Sequence, residues 1–310
     1  MPAENKILLC IVGPTASGKT KLAVRLADIV EGEIISADSR QVYRGMDIGT
    51  GKDKNEYIIH NKLIPSHLID IVEPGYHYNV YEYQRDFQKV YIDINERNHQ
   101  PILCGGSGMY IESVLRNYRL DEVPEDKVLR AKMMNMSNSQ LIEMLASYTK
   151  LHNHSDTCDR NRLLRAIEIQ VYNADNPKKS ECHYYNYLIF YLHFERDILR
   201  QRITDRLNFR LKNGMIDEVK MLLETGLLPE EIMYYGLEYK YITLYLLNKL
   251  TYDEMHRQLN IAIHQFAKRQ CTWFRGMQRK GLNFHTIQGI LPEEENLDYM
   301  LKSIETIKSF

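Results

Sequence analysis

The chain has 310 residues, 44% of them hydrophobic and 26% charged, which is typical of a soluble globular protein with one large domain or one domain and an insert. Its formal net charge of −1 neither favours nor excludes a nucleic-acid partner, because only the distribution of charge decides that. Five scattered cysteines indicate a reduced protein without a zinc site, and no stretch approaches the roughly 20 apolar residues of a membrane span. We expect a cytoplasmic protein with no signal peptide and no membrane partner.

The first motif, at residues 13–20, has the pattern G-x-x-x-x-G-K-T of a phosphate-binding loop. A predicted strand at 7–12 precedes it and a predicted helix at 18–30 follows, which is the context that such a loop requires. Backbone N–H groups would face an anion, Lys19 would supply charge and the Thr20 hydroxyl would ligate Mg²⁺. The residues of the predicted phosphate site are Gly13, Pro14, Thr15, Ala16, Ser17, Gly18, Lys19 and Thr20.

Strands and helices then alternate. Strands are predicted at 33–36, 67–71 and 102–104, and helices at 81–98 and 107–115. This alternation predicts a parallel sheet with helices on its faces.

Polar residues follow two of these strands. Asp38 comes just after the second strand, and Ser107 lies in the glycine-rich segment after the fourth. Because ligands bind outside the carboxyl ends of the strands in an open α/β sheet, both side chains and the phosphate loop would line one crevice. Asp38 could act there as a general base or as a Mg²⁺ ligand, and the alternative is a helix cap or turn.

An enzyme that hydrolyses ATP should also hold its magnesium with a carboxylate at a second strand end. Asp70 is the best candidate for that carboxylate. The glycine-rich end of the 102–104 strand carries none and is better suited to close contact with a ligand. Ordinary ATP hydrolysis is therefore not the preferred interpretation.

The alternation breaks at 119–124, and residues 127–148 and 159–172 have helical spacing without a strand signal. We therefore predict a helical insert at 119–185 within a core formed by 1–118 and 186–310. The insert contains His152, His154 and Cys158, which could ligate a metal, although a polar loop is preferred. A last core strand is predicted at 187–194, followed by helix to about residue 226.

Two stripes of basic residues each lie on one face of a predicted helix. The second of these is a long helix that opens with a capping box at 251–254 and ends near Gly281. The stripes are Arg202, Arg206 and Arg210, and Lys268, Arg275 and Arg279. A solvated surface is the alternative for either stripe, and together with a phosphate loop they favour a polyanionic partner.

Taken together, these motifs resemble the tRNA dimethylallyltransferases, the isopentenyl transferases that act on tRNA. The resemblance covers nearly the whole chain in an ordered series. The motifs are GPTASGKT at 13–20, ISADSRQVYRGMDIGT at 35–50, HLIDIVEP at 67–74, PILCGGSGMY at 101–110, DRNRLLRAIEI at 159–169, RITDRLNFRLKNGMIDEV at 202–219, GLEYK at 236–240 and QFAKRQCTWFRG at 265–276.

The resemblance implies an α/β fold, with a P-loop-type parallel sheet flanked by helices and an all-helical insert that clasps a tRNA anticodon stem-loop. It implies transfer of a dimethylallyl group from dimethylallyl diphosphate to the exocyclic amine of the adenine 3′ to the anticodon, with Mg²⁺ as cofactor. The phosphate loop would hold the prenyl diphosphate rather than ATP. We expect a monomer.

The resemblance also implies roles for residues. Asp38 would be the base that steers the amine, Ser107 would contact the diphosphate or nucleotide, and Arg206 would pair with the diphosphate. The residues expected to touch tRNA are Asp38, Ser39, Arg40, Gln41, Ser107, Arg130, Asn161, Arg162, Leu163, Leu164, Arg165, Tyr235, Gly236, Leu237, Glu238, Tyr239 and Lys240, to which the basic stripe adds Lys268, Arg275 and Arg279.

The sequence departs from the family pattern at several points. The usual GTAKP reads Gly49-Thr50-Gly51-Lys52-Asp53, and GGTGLY reads GGSGMY with Ser107. Arg210 stands where Met is common, and Glu238 replaces a glycine.

Three alternatives stay open. A small-molecule kinase with the same loop would turn over ATP without RNA. An adenylate isopentenyltransferase would act on a free nucleotide and would need neither the basic helices nor the insert. The intact Lys19, Thr20, Asp38 and Ser107 argue against the third alternative, a non-catalytic RNA-binding protein.

Overall fold

A six-stranded parallel sheet organises the larger of two units in the computed structural model, which describes residues 6–118, 120–149, 159–176 and 185–308. The larger unit comprises Met1–Asn117 and Tyr184–Phe310, and the smaller one Tyr118–His183. The strands are β1 (Leu8–Val12), β2 (Gly32–Ala37), β3 (Ile58–Ile59), β4 (Lys62–Leu63), β5 (Ser66–His67), β6 (Gln100–Gly105), β7 (Tyr187–His193) and β8 (Phe284–Gln288). The sheet order is β5-β2-β6-β1-β7-β8, and β3 and β4 form a separate antiparallel hairpin.

The helices surround this sheet or build the smaller unit. They are α1 (Lys19–Ile29), α2 (Val80–Glu96), α3 (Gly108–Leu115), α4 (Lys127–Met134), α5 (Asn138–Tyr148), α6 (Arg160–Asp175), α7 (Arg196–Lys212), α8 (Met215–Glu224), α9 (Pro229–Tyr234), α10 (Leu237–Leu246), α11 (Tyr252–Arg279) and α12 (Glu293–Lys308). None of those in the described ranges combines the length and apolar character that a membrane crossing requires.

The strand register brings three chain segments to one edge of the sheet. Val12 of β1 and Ala37 of β2 are both paired with Gly105 of β6. Every residue of these three strands is buried, as expected for a parallel sheet that is covered on both faces. The segments that begin at residues 13, 38 and 106 therefore leave the sheet side by side.

The smaller unit has a hydrophobic core of its own. Helices α4, α5 and α6 bury six apolar side chains, and they are the only regular secondary structure in the described part of this unit. The buried side chains are Met133, Leu141, Leu145, Leu163, Leu164 and Ile167.

The predicted α/β architecture with helical segments is confirmed, with local differences. The strand predicted at 67–71 shrinks to β5, because Leu68 and Asp70 adopt left-handed backbone conformations with φ of 60° and 55°. The helical region at 127–148 is two helices, since Ser137 forms a capping box that starts α5. Strand β8, the β3–β4 hairpin and helices α9, α10 and α12 were not predicted.

Candidate active site

The phosphate loop and the polar residues after β2 and β6 meet at the shared sheet edge. The Ser107 hydroxyl accepts a hydrogen bond of 2.9 Å from the Ser39 N–H, and the Ser107 N–H donates to the Ala37 carbonyl. One oxygen of Asp38 accepts from the Arg40 N–H at 2.9 Å. Ser107 thus ties together the segments after β2 and β6, as strand-end reasoning predicted.

Residues 13–20 form a turn that leads into α1. Ala16 and Gly18 both have positive φ, and Gly18 caps α1 with φ 84°, a left-handed conformation that glycine adopts without strain. The ammonium of Lys19 donates to the Pro14 carbonyl at 3.3 Å. Burial lowers the pKa of Lys19 below its ordinary value, against the effect of the Asp38 charge.

The side-chain oxygens near this loop suit a Mg²⁺ ion that is held mainly by the phosphate oxygens of a bound substrate. Magnesium prefers oxygen ligands and is often held by one or two protein groups together with phosphate oxygens. The Thr20 hydroxyl and the Asp38 carboxylate are oxygen ligands of this kind, and the buried Ser17 hydroxyl has no hydrogen-bond partner among the described residues. No cluster of three His, Cys, Asp or Glu side chains forms a ready-made metal site within the described ranges, and His152, His154 and Cys158 lie outside them.

The inner face of α11 supports two of the three converging segments. The Gln270 side chain accepts a hydrogen bond from the Thr15 N–H at 2.8 Å and donates to the Gly106 carbonyl at 2.9 Å. Trp273 packs on Gly108 so closely that a Cβ there would lie 2.4 Å from the indole. Sequence reasoning gave neither side chain a role, although both lie in the motif at 265–276, because it assigned functions only to the basic face of this helix.

The arginine stripe of α7 turns toward the site. The Arg202 guanidinium donates to the Ala16 carbonyl at 2.9 Å and lies 4.6 Å from the centre of the Phe194 ring. Arg206 and Arg210 both donate to the Asp53 carboxylate, at 3.2 and 3.0 Å. Burial, followed by the charge of Arg210, lowers the pKa of Arg206. This stripe, considered above as a surface for a polyanion, therefore faces the phosphate loop and the segment around Asp53.

Glu218 of α8 fixes the segment that leads to Asp53. Its buried carboxylate accepts hydrogen bonds from three consecutive backbone N–H groups, at residues 47–49, over 2.6–2.9 Å. It also accepts from the Tyr239 hydroxyl at 2.7 Å, and the Tyr239 ring covers Gly49, where a Cβ would lie 2.6 Å away. Because four hydrogen-bond donors occupy the Glu218 carboxylate, its role is to hold the 47–49 segment in place.

Asp70 is engaged by lysines. Its two oxygens lie 2.5 Å from the Lys52 ammonium and 3.1 Å from that of Lys54, and the Lys52 side chain is fully buried. The carboxylate considered for magnesium in an ATP-hydrolysing enzyme thus forms ion pairs within the 52–70 segment.

The residues expected to touch RNA in the larger unit differ in accessibility. Lys240 and the stripe of Lys268, Arg275 and Arg279 are exposed. The Arg40 guanidinium lies 5.0 Å from the centre of the half-exposed Tyr234 ring. By contrast, Tyr235 and Tyr239 are buried, Gln41 hydrogen-bonds the Gly51 carbonyl, and Leu237 and Glu238 are partly buried.

In the smaller unit, Glu168 forms ion pairs with two of the arginines expected to touch RNA. Arg130 reaches this buried carboxylate at 2.7 and 2.9 Å, and Arg165 at 3.2 Å. Leu163 and Leu164 are core residues, so the exposed side chains of this segment are those of Asn161 and Arg162.

Known proteins resemble the chain over nearly its full length. A family model described as IPP transferase matches residues 41–277. The tRNA dimethylallyltransferase 1 of Parabacteroides distasonis is 53% identical over 94% of this chain and 95% of its own length. The tRNA dimethylallyltransferase 2 of Bacteroides fragilis is 51% identical over 96% and 98%.

A solved structure extends the similarity to the fold. The tRNA delta(2)-isopentenylpyrophosphate transferase from Staphylococcus epidermidis superposes with a TM-score of 0.70 and 33% identity. The match covers 97% of this chain and 99% of that one. Since the family model spans well over half of the sequence and the relatives match more than nine-tenths of it, the chain belongs to the IPP transferase family.

Proposed function

We propose that this protein transfers a dimethylallyl group from dimethylallyl diphosphate to the exocyclic N6 amine of the adenine next to the anticodon of tRNA, on its 3′ side. The observation that carries the proposal is the convergence of the phosphate loop, Asp38 and Ser107 at one sheet edge in a chain of this family. The names of its relatives, at 53% and 51% identity, support the choice of substrates.

The donor side of the reaction requires compensation of charge. The C–O bond between the allylic carbon and the diphosphate breaks, and the diphosphate leaves with the bonding electron pair. Lys19 and Arg206 would neutralise the departing charge, together with the N–H groups of the phosphate loop. Magnesium, held through Thr20 and the phosphate oxygens, would supply further positive charge.

The acceptor side requires orientation. The adenine amine is a weak nucleophile, because its lone pair is delocalised into the ring. Asp38 would accept a hydrogen bond from this amine, align it with the allylic carbon and take its proton as the new C–N bond forms. One Asp38 oxygen is held by the Arg40 N–H, so the other is the one available to the amine.

The acceptor base must leave its stack to reach the crevice, which an unpaired loop base does at low cost. The exposed cations of α11 and Arg162 are suited to RNA phosphates, which dominate the affinity of such complexes. We expect the protein to act in the cytoplasm as a monomer.

The kinase alternative loses support, because Asp70 is ion-paired with two lysines. The free-nucleotide alternative does not account for the basic face of α11. The proposed reaction and the two alternatives differ in which molecule, if any, would carry a labelled prenyl group.

The test is incubation of the full chain with Mg²⁺, dimethylallyl diphosphate labelled in its prenyl group and unmodified bulk tRNA, with AMP and ATP as competing acceptors. We expect label in RNA and at the adenine 3′ to the anticodon after nuclease digestion. Label in AMP alone would identify the free-nucleotide enzyme, and release of phosphate from ATP without RNA labelling would identify a kinase. A Lys19→Ala variant serves as the matched negative control.

A further inference from the structure

One carboxylate lies between two arginines at the edge of the site. Asp53 accepts two hydrogen bonds from Arg210, at 3.0 and 3.3 Å, and one from Arg206, at 3.2 Å. The Arg210 side chain is 11% exposed and that of Arg206 31% exposed. Arg210 is therefore the closer and more enclosed partner of the carboxylate.

The two arginines differ in what else they can bind. Arg206 is one helical turn nearer to the phosphate loop, and its charge acts on Lys19. Its contact with Asp53 is its only hydrogen bond among the described residues, so most of its five donors remain available to an anion. A guanidinium bound on both oxygens of a carboxylate would lose that capacity, because carboxylate and phosphate compete for the same fork.

The backbone is built to let both guanidinium groups approach. Gly51 has φ 75°, and a Cβ there would lie 2.5 Å from Arg206 and 2.6 Å from Arg210. Glycine at this position thus permits the double contact with Asp53. Gly51, Asp53 and Arg210 are three of the positions at which the sequence departs from the family pattern, and the structure brings all three into one cluster.

We propose that Arg210 is a positioning residue that occupies both oxygens of Asp53, limits the contact of Asp53 with Arg206 to one hydrogen bond and thereby leaves the other donors of Arg206 to pair with the diphosphate of the donor. Without Arg210, Asp53 turns both oxygens to Arg206 and competes with the diphosphate for it. Without Asp53 as well, Arg206 loses the one carboxylate that it hydrogen-bonds among the described residues, and Arg210 is no longer needed. The inference rests on the proposed function for the identity of the donor, but its core, control of diphosphate binding, does not.

The experiment is a double-mutant cycle on the full chain, with inorganic diphosphate and Mg²⁺ as the calorimetric probe and no tRNA present. We expect Arg210→Met to weaken diphosphate binding by about tenfold, within the range of coupled neighbouring charges. Asp53→Asn should bind at least as tightly as the unmodified protein. The Asp53→Asn/Arg210→Met variant should bind within about twofold of Asp53→Asn, because the penalty exists only while Asp53 is present.

Two controls separate competition from a general loss of charge and from misfolding. Lys212→Met removes one cation from the exposed end of α7 and should leave diphosphate affinity unchanged. In the transfer assay, Arg210→Met should raise the KM for dimethylallyl diphosphate and leave kcat and the KM for tRNA near their starting values, a split that loss of folded protein would not produce.

Equal losses from Arg210→Met with and without Asp53 would overturn the inference, as would unchanged diphosphate binding in Arg210→Met. If Arg210→Met does not fold, Arg210→Lys tests the same point, because the shorter lysine side chain with its single ammonium should hold Asp53 less firmly than the guanidinium and give a smaller loss that Asp53→Asn again removes. A failure of the proposed function would appear differently, as absence of prenyl transfer with the diphosphate cycle intact.

Discussion

At the scale of single residues, Asp38 is distinguished by a carboxylate of which one oxygen receives no hydrogen bond from the described residues. An asparagine there could keep the hydrogen bond from the Arg40 N–H but could not accept a proton. We expect Asp38→Asn to bind both substrates and to slow the chemical step by about 10²–10⁴, the scale of a lost general base. Single-turnover rates at saturating donor and tRNA measure this step. A rate near that of the unmodified enzyme would reduce Asp38 to a turn residue.

Lys19 allows a test of whether the donor and tRNA are bound by different residues. Replacing it with alanine removes the cation of the phosphate loop, so we expect donor binding to be lost while tRNA affinity changes less than about twofold. Lys21→Ala is a suitable comparison, because Lys21 is two residues further on, is exposed and pairs with Glu293. Diphosphate calorimetry and tRNA filter binding give the two affinities. If tRNA affinity fell as far as donor affinity, the two roles would not be separable.

Some of these residues could be predicted and others could not, for physical reasons. Asp38 and Ser107 follow strand ends, and strand ends in a parallel sheet share an edge, so sequence order was enough to bring them together. Gln270 lies 255 residues from its partner Thr15, and nothing local in the sequence marks such a contact. The engagement of Asp53 by Arg206 and Arg210 was likewise beyond prediction, since it depends on how α7 packs on a loop.

At the scale of elements, local chemistry determined several helix starts. The predicted capping box of α11 is present, with the Glu254 carboxylate accepting from the Thr251 N–H at 2.9 Å. The equivalent box at Ser137 was overlooked, and α4 and α5 were therefore expected as one region. The strand at 67–71 failed for another reason, because tertiary pairing of Asp70 with two lysines accompanies a left-handed backbone that apolar patterning does not reveal.

The outer face of α11 carries a prediction about RNA. If Lys268, Arg275 and Arg279 bind tRNA phosphates, replacing all three with glutamine should weaken every tRNA alike. The log–log slope of affinity against salt should fall by about one unit for each contact removed. Donor affinity should be unchanged, since these side chains are exposed and do not contact the phosphate loop. Titration at four or more salt concentrations gives the slope, and an unaltered slope would leave this face as ordinary solvated surface.

At the scale of the whole molecule, one buried carboxylate joins distant parts of the sheet unit. Glu33 of β2 is 3% exposed and pairs with Arg97 after α2 at 2.8 Å, with His67 of β5 at 2.6 Å and with His99 before β6 at 3.0 Å. Burial alone would raise the pKa of Glu33, but the hydrogen bonds from Arg97 and His67 outweigh it and lower the pKa below its ordinary value.

This junction makes stability depend on pH in a defined direction. Because the folded pKa of Glu33 lies below the unfolded value of about 4.3, its contribution is present above that pH and is lost as the pH falls through the folded pKa. We expect Glu33→Gln to lower the free energy of unfolding by about 1–3 kcal/mol at pH 7, the cost of weakened buried hydrogen bonds to charged partners. The loss should shrink toward pH 3. Urea unfolding at stepped pH checks this, with the exposed Glu31→Gln as comparison, and a loss that is constant from pH 7 to 3 would contradict it.

The two faces of α11 have a thermodynamic consequence. With about 100° of rotation per residue, Lys268, Arg275 and Arg279 lie about 140–180° around the helix from Gln270, whose side chain bridges the phosphate loop and the Gly106 segment. If RNA bound to the outer face changed the position of α11, the affinity for the donor would change as well, because Gln270 contacts both the phosphate loop and the Gly106 segment. Thermodynamic linkage makes such coupling reciprocal. If bound tRNA changes the dissociation constant of the donor by some factor, the bound donor must change the dissociation constant of tRNA by the same factor. The order in which the two substrates arrive would then alter the path to the ternary complex but not its total free energy.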